Sequence, residues 1–253
     1  VDPALFMAAL NQLIDLDREW VPESPNALYI RPTMISTQVG LGVKASTDYT
    51  FFIIIGPVGS YFAGGINPLR LRVEENFVRS TEGGTGFAKT GGNYAGALLP
   101  IQQAQAAGYD NIIWLDAKEM KYVEEMGAMN IAFVYEDKVI TAPTGDTILN
   151  GVTRDSVGIL LKDMGYNWVE TPPNIDEICE DAHTGKLKEV FACGTAAVVT
   201  PVGVLHFKGA DHQISDGKEG ELTEKLRVTL TGIHSGTSEH HPEWLFVVPV
   251  FEN

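Results

Sequence analysis

The sequence predicts a mixed α+β fold around a curved or barrel-like sheet, on three observations. Strand-like segments outnumber helical ones. Several follow one another with no helix between them, as at 111–115, 130–135 and 138–141, which a doubly wound parallel sheet would not do. Finally, 253 residues with 44% apolar and 20% charged side chains suffice for a sizeable core, in one large domain or two smaller ones.

Taken in order, Asp2-Pro3 supplies an N-cap and a first-turn proline for a helix to about Trp20, with Leu5, Leu10, Leu13 and Leu16 on its apolar stripe. Strands at 27–35 and 49–55 are rich in β-branched and aromatic residues. The 56–69 stretch, glycine- and proline-rich, reads as an interdomain connection. A short strand is expected near 77–79, then a glycine loop and a helix over about 93–107. After the three strands named above, Gly151-Val152-Thr153 opens a helix to about Met164, and Asn174 caps another over 175–182. Strands at 190–192 and 196–200 flank Cys193-Gly194-Thr195, and a last helix covers about 221–231.

Composition narrows the function. The formal net charge is −15, from 18 Lys+Arg against 33 Asp+Glu, which disfavours nucleic acid and anionic membrane as partners. Two cysteines, Cys179 and Cys193, form no metal or redox motif and suggest a reducing compartment. The apolar run Phe51-Phe52-Ile53-Ile54-Ile55 stops at Gly56-Pro57, short of a membrane span, and no signal-peptide pattern is present. The chain opens at Val1 rather than methionine, so a missing natural N-terminus is expected.

The chemistry centres on Gly83-Gly84-Thr85-Gly86-Phe87-Ala88-Lys89-Thr90-Gly91-Gly92-Asn93-Tyr94, where one lysine sits among glycines. Such a lysine presents its amine either as a charge or, if desolvated, as a nucleophile. A phosphate-binding P-loop needs glycine before Lys-Thr and a helix directly after, but Ala88 and Gly91-Gly92 stand there. A Rossmann fingerprint fails because Lys89 takes its third glycine position. A flexible surface loop is the plain alternative. Three further features weigh against it: the acids of Glu124-Glu125 before Met126-Gly127-Ala128-Met129-Asn130, the small residues opening a helix at Gly151-Val152-Thr153-Arg154, and the Ala192-Cys193-Gly194-Thr195-Ala196 turn. An amine, an acid and two anion-binding turns are the parts that pyridoxal phosphate requires. Glu124 is set aside, since alternation along a strand turns it away from Glu125. His240-His241 is read as a solvated turn rather than a metal pair, and no metal is expected.

Together with Leu28-Tyr29-Ile30-Arg31-Pro32-Thr33 and Gly59-Ser60-Tyr61-Phe62, these segments resemble the branched-chain amino acid aminotransferases, fold-type-IV pyridoxal-phosphate enzymes, in order over essentially the whole chain. The resemblance implies a barrel-like large domain at 69–253, an interdomain loop at 59–68, and at 1–58 the remnant of an α/β small domain. It implies reversible transfer of the amino group of leucine, isoleucine or valine to 2-oxoglutarate, in a cytoplasmic homodimer. Lys89 would carry pyridoxal 5′-phosphate as an aldimine and act as base. Tyr94 would bond its phenolic oxygen, Glu125 would pair with the pyridine nitrogen, and Val152, Thr153 and Thr195 would hold the phosphate. Tyr29, Arg31, Tyr61, Ala128, Thr195 and Ala196 would line the substrate side, with Arg79 as a supporting cation. Ala128 replaces a threonine common in the family, and Ala197 and Thr200 stand where animal members carry a redox Cys-x-x-Cys. The family's phosphate-clamping arginine lies in an N-terminal segment with no counterpart after Val1, so impaired cofactor binding and activity are expected. D-amino acid transaminases, aminodeoxychorismate lyases and a catalytically silent fragment are the alternatives.

Overall fold

The structure, a computed structural model, describes residues 1–59 and 65–251. The chain divides into two compact units, residues 1–64 with 241–253, and residues 65–240.

In the first unit, helix α1 (Pro3–Leu16) is capped by Asp2, whose side chain accepts from the Leu5 N–H at 3.0 Å, with Pro3 in the first turn as the sequence suggests. The helix stops at Leu16 and a 3-10 turn covers Arg18–Trp20, so the predicted single helix is two pieces. Strands β1 (Ala27–Ser36) and β2 (Tyr49–Val58) pair antiparallel from Ala27↔Val58 to Ser36↔Tyr49. Both strands of a two-stranded sheet are edges, which is why Pro32 and Pro57 are tolerated in them. Phe6 of α1 meets Phe51 of β2 at 5.9 Å between ring centroids. Arg18 pairs with Asp15 and donates to the carbonyls of Val248 and Pro249, while the Phe251 N–H donates to Asp15 Oδ2, tying the C-terminal segment to α1.

The second unit holds a nine-stranded sheet. Its strands are β3 (Leu69–Val73), β4 (Asn111–Leu115), β5 (Val123–Met126), β6 (Asn130–Val134), β7 (Lys138–Thr141), β8 (Asn167–Glu170), β9 (Glu189–Gly194), β10 (Val198–Phe207) and β11 (Ala210–Gln213). The order is β5-β4-β3-β10-β9-β6-β7-β8, with β11 beside β10. A bridge between Met126 and Met129 joins the end of β5 to the start of β6. The run from β5 to β6 therefore curls back on itself, giving the barrel-like α+β arrangement expected. Five helices accompany the sheet: α2 (Gly91–Ala95), α3 (Leu98–Ala106), α4 (Val152–Asp163), α5 (Ile175–Thr184) and α6 (Glu221–His234). Alternation along β4 serves two sides. Ile113 and Leu115 join the main core with Leu71, Met126, Phe133 and the α5 residues Ile175 and Ile178, while Ile112 and Trp114 pack with Ala104 of α3.

Two expectations change. No strand forms at 77–79, because Glu74 Oε1 accepts from the N–H groups of Asn76 and Phe77 and turns the chain out of the sheet after β3. The helix expected over 93–107 is split into α2 and α3, since Pro100 has no N–H to continue the ladder through Gly96-Ala97. Among the described residues no helix is long and apolar enough to cross a membrane.

Candidate active site

The glycine loop is a tied structure. The Gly83 N–H donates to Asp146 Oδ2 at 3.1 Å and the Phe87 N–H to the Asp146 carbonyl at 3.0 Å. From the far side, Asn93 Nδ2 donates to the carbonyls of Thr85 and Ala88, and Asn93 Oδ1 accepts from the Thr85 hydroxyl. Gly86 sits so close to its neighbours that a Cβ there would lie 2.6 Å from Ser80 Oγ and from the Thr147 backbone. These bonds remove the flexible-loop reading. The helix after Lys89 is α2, only five residues long, unlike the long helix of a P-loop. Lys89 itself is exposed, and no hydrogen bond or ion pair engages its amine among the described residues.

Beside the loop lies a cleft of about 110 Å³, lined by Arg79, Ala88, Asn93, Tyr94, Ala97, Leu98, Ile101, Glu125, Gly127, Ala128 and Leu149. Tyr94, Glu125 and Ala128 are thus brought together. Lys89 does not line it, though Ala88 before it and Asn93-Tyr94 after it do. The floor comes from the β5–β6 turn. Gly127 there has φ +54° and would drive a Cβ into the Asn111 amide, and its carbonyl accepts from the buried Trp114 indole at 2.9 Å.

Glu125 is 3% exposed and fully engaged. Its Oε2 lies 2.8 Å from Arg79 Nε, an ion pair whose N–H is not aligned on the oxygen. Its Oε1 accepts from Asn130 Nδ2 at 3.2 Å and from the Leu149 N–H at 3.3 Å. Arg79 Nη2 donates to the Gly86 carbonyl at 3.0 Å and to the Thr147 carbonyl, so one guanidinium joins the acid to the lysine loop. Burial pushes the Glu125 carboxyl up to about 7, against the opposing pull of Arg79 and the Leu149 N–H, with Glu124 adding to the rise.

Glu124, the acid before Glu125, is buried as well. It is 8% exposed, its Oε2 has no hydrogen-bond partner, and burial pushes it too up to about 7. Because β5 is covered on both faces, pointing away from Glu125 does not lead to solvent.

Val152 and Thr153 open α4, whose cap Gly151 provides no side-chain bond to the first turn, leaving backbone N–H groups and the positive helix end available to an anion. Thr195 and Ala196 form the exposed turn between β9 and β10. That turn follows Cys193, which pairs with Asn130, so the β6 start lies alongside it. Tyr29 and Arg31 belong to the first unit, where Arg31 Nη2 donates to the Tyr29 hydroxyl at 2.6 Å beside an open hollow bounded by residues 54–58. Tyr61 lies outside the described residues. Sequence reasoning missed the anchoring by Asp146 and the central place of Asn130; the latter stood inside a recognised motif, but Asp146 lay in a loop that no spacing marks.

A family model described as amino-transferase class IV matches residues 1–204. Branched-chain-amino-acid transaminase 1 of Bacillus subtilis is 46% identical over 246 residues, covering 96% of this chain and 69% of the relative. Branched-chain-amino-acid aminotransferase of Mycolicibacterium smegmatis is 44% identical over 247 residues, covering 95% of this chain and 67% of the relative. Among solved structures, a T.th. branched-chain amino acid aminotransferase with pyridoxamine 5′-phosphate matches with a TM-score of 0.81 at 26% identity, covering 97% of this chain and 75% of that one.

Proposed function

The chain belongs to the class IV aminotransferases, and we propose that it is a branched-chain amino acid transaminase, exchanging the amino group of leucine, isoleucine or valine with 2-oxoglutarate. The observation that carries this reading is the cleft in which Tyr94, the buried acid Glu125 and Ala128 meet beside the pinned lysine loop, in a chain 46% identical to a branched-chain transaminase.

Class IV aminotransferases use pyridoxal 5′-phosphate, and the donor set suits it. An uncapped helix end stands at Val152 and Thr153 for the phosphate, a buried acid at Glu125 for the ring nitrogen, a phenol at Tyr94 for the ring oxygen, and an unengaged amine at Lys89 for the aldehyde. When bound, the cofactor supplies an electron sink that makes the substrate α-proton removable.

Each residue then has a task of its own. Lys89 Nζ would hold the cofactor and, as a free amine, would accept the proton from the substrate α-carbon as general base. Glu125, with a carboxyl brought to about 7, is able to hold or release a proton near neutral pH. Arg79 keeps that acid charge-compensated and anchors the Gly86 end of the loop. The Thr195-Ala196 turn offers backbone N–H groups to the substrate carboxylate, Thr195 adds to the phosphate site, and Ala128 leaves apolar room for a branched side chain. The family resemblance alone assigns Tyr29, Arg31 and Tyr61 to the substrate. We assign a homodimer in the cytoplasm; the dimer rests on the family resemblance, and two free buried cysteines, Cys179 and Cys193, suit a reducing compartment.

A panel of amino donors tests the assignment. Glutamate should form from 2-oxoglutarate with L-leucine, L-isoleucine or L-valine at rates well above those with D-alanine, and no pyruvate should form from aminodeoxychorismate. Preference for D-alanine or lyase activity would overturn it.

A further inference from the structure

We propose that Asn130 is a positioning residue for this reaction: its amide ties the Glu125 carboxylate to the segment entering α4, so that the acid and the anion-binding helix end are held as one piece. The inference deepens the proposed function and rests on it.

The geometry is specific. Asn130 opens β6 and is 7% exposed. Its Nδ2 donates at once to Glu125 Oε1 at 3.2 Å and to the Leu149 carbonyl at 3.1 Å. The Leu149 carbonyl can only accept, which fixes the end of the amide that faces the pair. Its Oδ1 faces the other way, 2.5 Å from where a Cβ on Gly151 would stand. The amide thus fills the place a side chain at the α4 cap would need, which accounts for glycine there. Its backbone pairs with Cys193, one residue before Gly194 and two before Thr195. One residue therefore touches the acid and the stem of α4 while flanking the β9–β10 turn.

The residue type follows from the charges nearby. Arg79 pairs with Glu125, the charges of Glu124 and of the buried Cys193 thiol act on the same region, and Arg154 lies near Cys193. A carboxylate at 130 would put another acid against Glu124 and Glu125. An apolar residue would leave Glu125 Oε1 and the Leu149 carbonyl each short of a donor. A carboxamide donates twice without adding charge.

The test compares wild type with Asn130→Ala, Asn130→Asp and Asn130→Ser, the last keeping one donor. The first readout is made on protein free of cofactor: isotope-edited infrared titration of the Glu125 carboxyl, assigned by subtracting the Glu125→Gln spectrum. Loss of a charged hydrogen bond should raise the titration midpoint by about one pH unit in Asn130→Ala. Asn130→Asp should raise it further, and Asn130→Ser should fall between alanine and wild type. The second readout is the affinity for pyridoxamine 5′-phosphate, expected to weaken about ten-fold in Asn130→Ala. In the Glu125→Gln background the same change should weaken it much less, because the two residues act together. An unchanged midpoint in Asn130→Ala, or equal losses of affinity in both backgrounds, would overturn the proposal. If alanine prevents folding, the ordering wild type, serine, aspartate decides by the same titration. A wild-type protein that binds no pyridoxamine 5′-phosphate would overturn the proposed function instead, while the infrared ordering still judges the Asn130–Glu125 link.

Discussion

Arg79 Nε stands 2.8 Å from Glu125 Oε2, with both side chains more than nine-tenths buried. The same guanidinium donates to the Gly86 carbonyl, so the charge that compensates the acid also holds the loop bearing Lys89. Removing the cation alone leaves a buried carboxylate uncompensated. Arg79→Met should therefore cost about 3–5 kcal/mol of stability at pH 8, and adding Glu125→Gln should recover part of it. Urea denaturation of the single and double variants measures this; equal stability of Arg79→Met and wild type would show that the pair contributes nothing.

Two neighbouring buried acids give stability a distinct pH dependence. Burial raises the carboxyls of Glu124 and Glu125 from the ordinary 4.5 to about 7. Between those values the folded protein keeps protons that the unfolded chain has released. Their contribution is therefore full below about pH 4.5 and is lost as the pH rises toward 7. Glu124→Gln removes a carboxylate whose Oε2 has no partner. It should stabilise by on the order of 1–2 kcal/mol at pH 8 and change little near pH 4.5. Urea midpoints at the two pH values check it, and a variant equally stable or destabilised at both would contradict the assignment of a strained buried charge.

Gly86 admits no side chain, because a Cβ would stand 2.6 Å from the Thr147 backbone, which has no flexible end to move. Gly86→Ala should cost about 1–3 kcal/mol and loosen the lysine loop. Thermal unfolding, with hydrogen exchange at the Phe87 and Ala88 amides, reads both effects; unchanged protection would mean that the loop is not held by this contact.

Much of this was legible in the sequence because it is local. Asp2-Pro3 and Asn174 announce their helices, β-branched runs announce β1 and β2, and the order of Lys89, Glu125, Thr153 and Thr195 carries the family. Strands β3, β5, β8 and β11 went unread: Leu69–Val73 interleaves arginines with its apolar residues, and Val123–Met126, Asn167–Glu170 and Ala210–Gln213 are short and polar, so all four are strands only through their ladder partners. The burial of Glu124 was hidden for a related reason: alternation reveals which residues share a face, not whether a second layer covers the other. Asp146 acts across 63 residues on Gly83, a distance at which spacing carries no signal, while Asn130 stood in the recognised motif only 5 residues from Glu125, with nothing in the sequence to show that its amide turns back to the acid.

Lys89 is where the proposed chemistry begins. It is exposed and makes no hydrogen bond or ion pair among the described residues, so Lys89→Ala should leave stability within about 0.5 kcal/mol of wild type. The most direct measurement is to incubate the chain with pyridoxal 5′-phosphate, reduce with borohydride, and map the modified lysine by mass spectrometry, with Lys89→Ala in parallel. One stoichiometric label on Lys89 is expected, and none on the folded Lys89→Ala variant. A label absent from the wild type, or carried by another lysine with Lys89 untouched, would contradict the assignment of Lys89 as the cofactor-bearing amine.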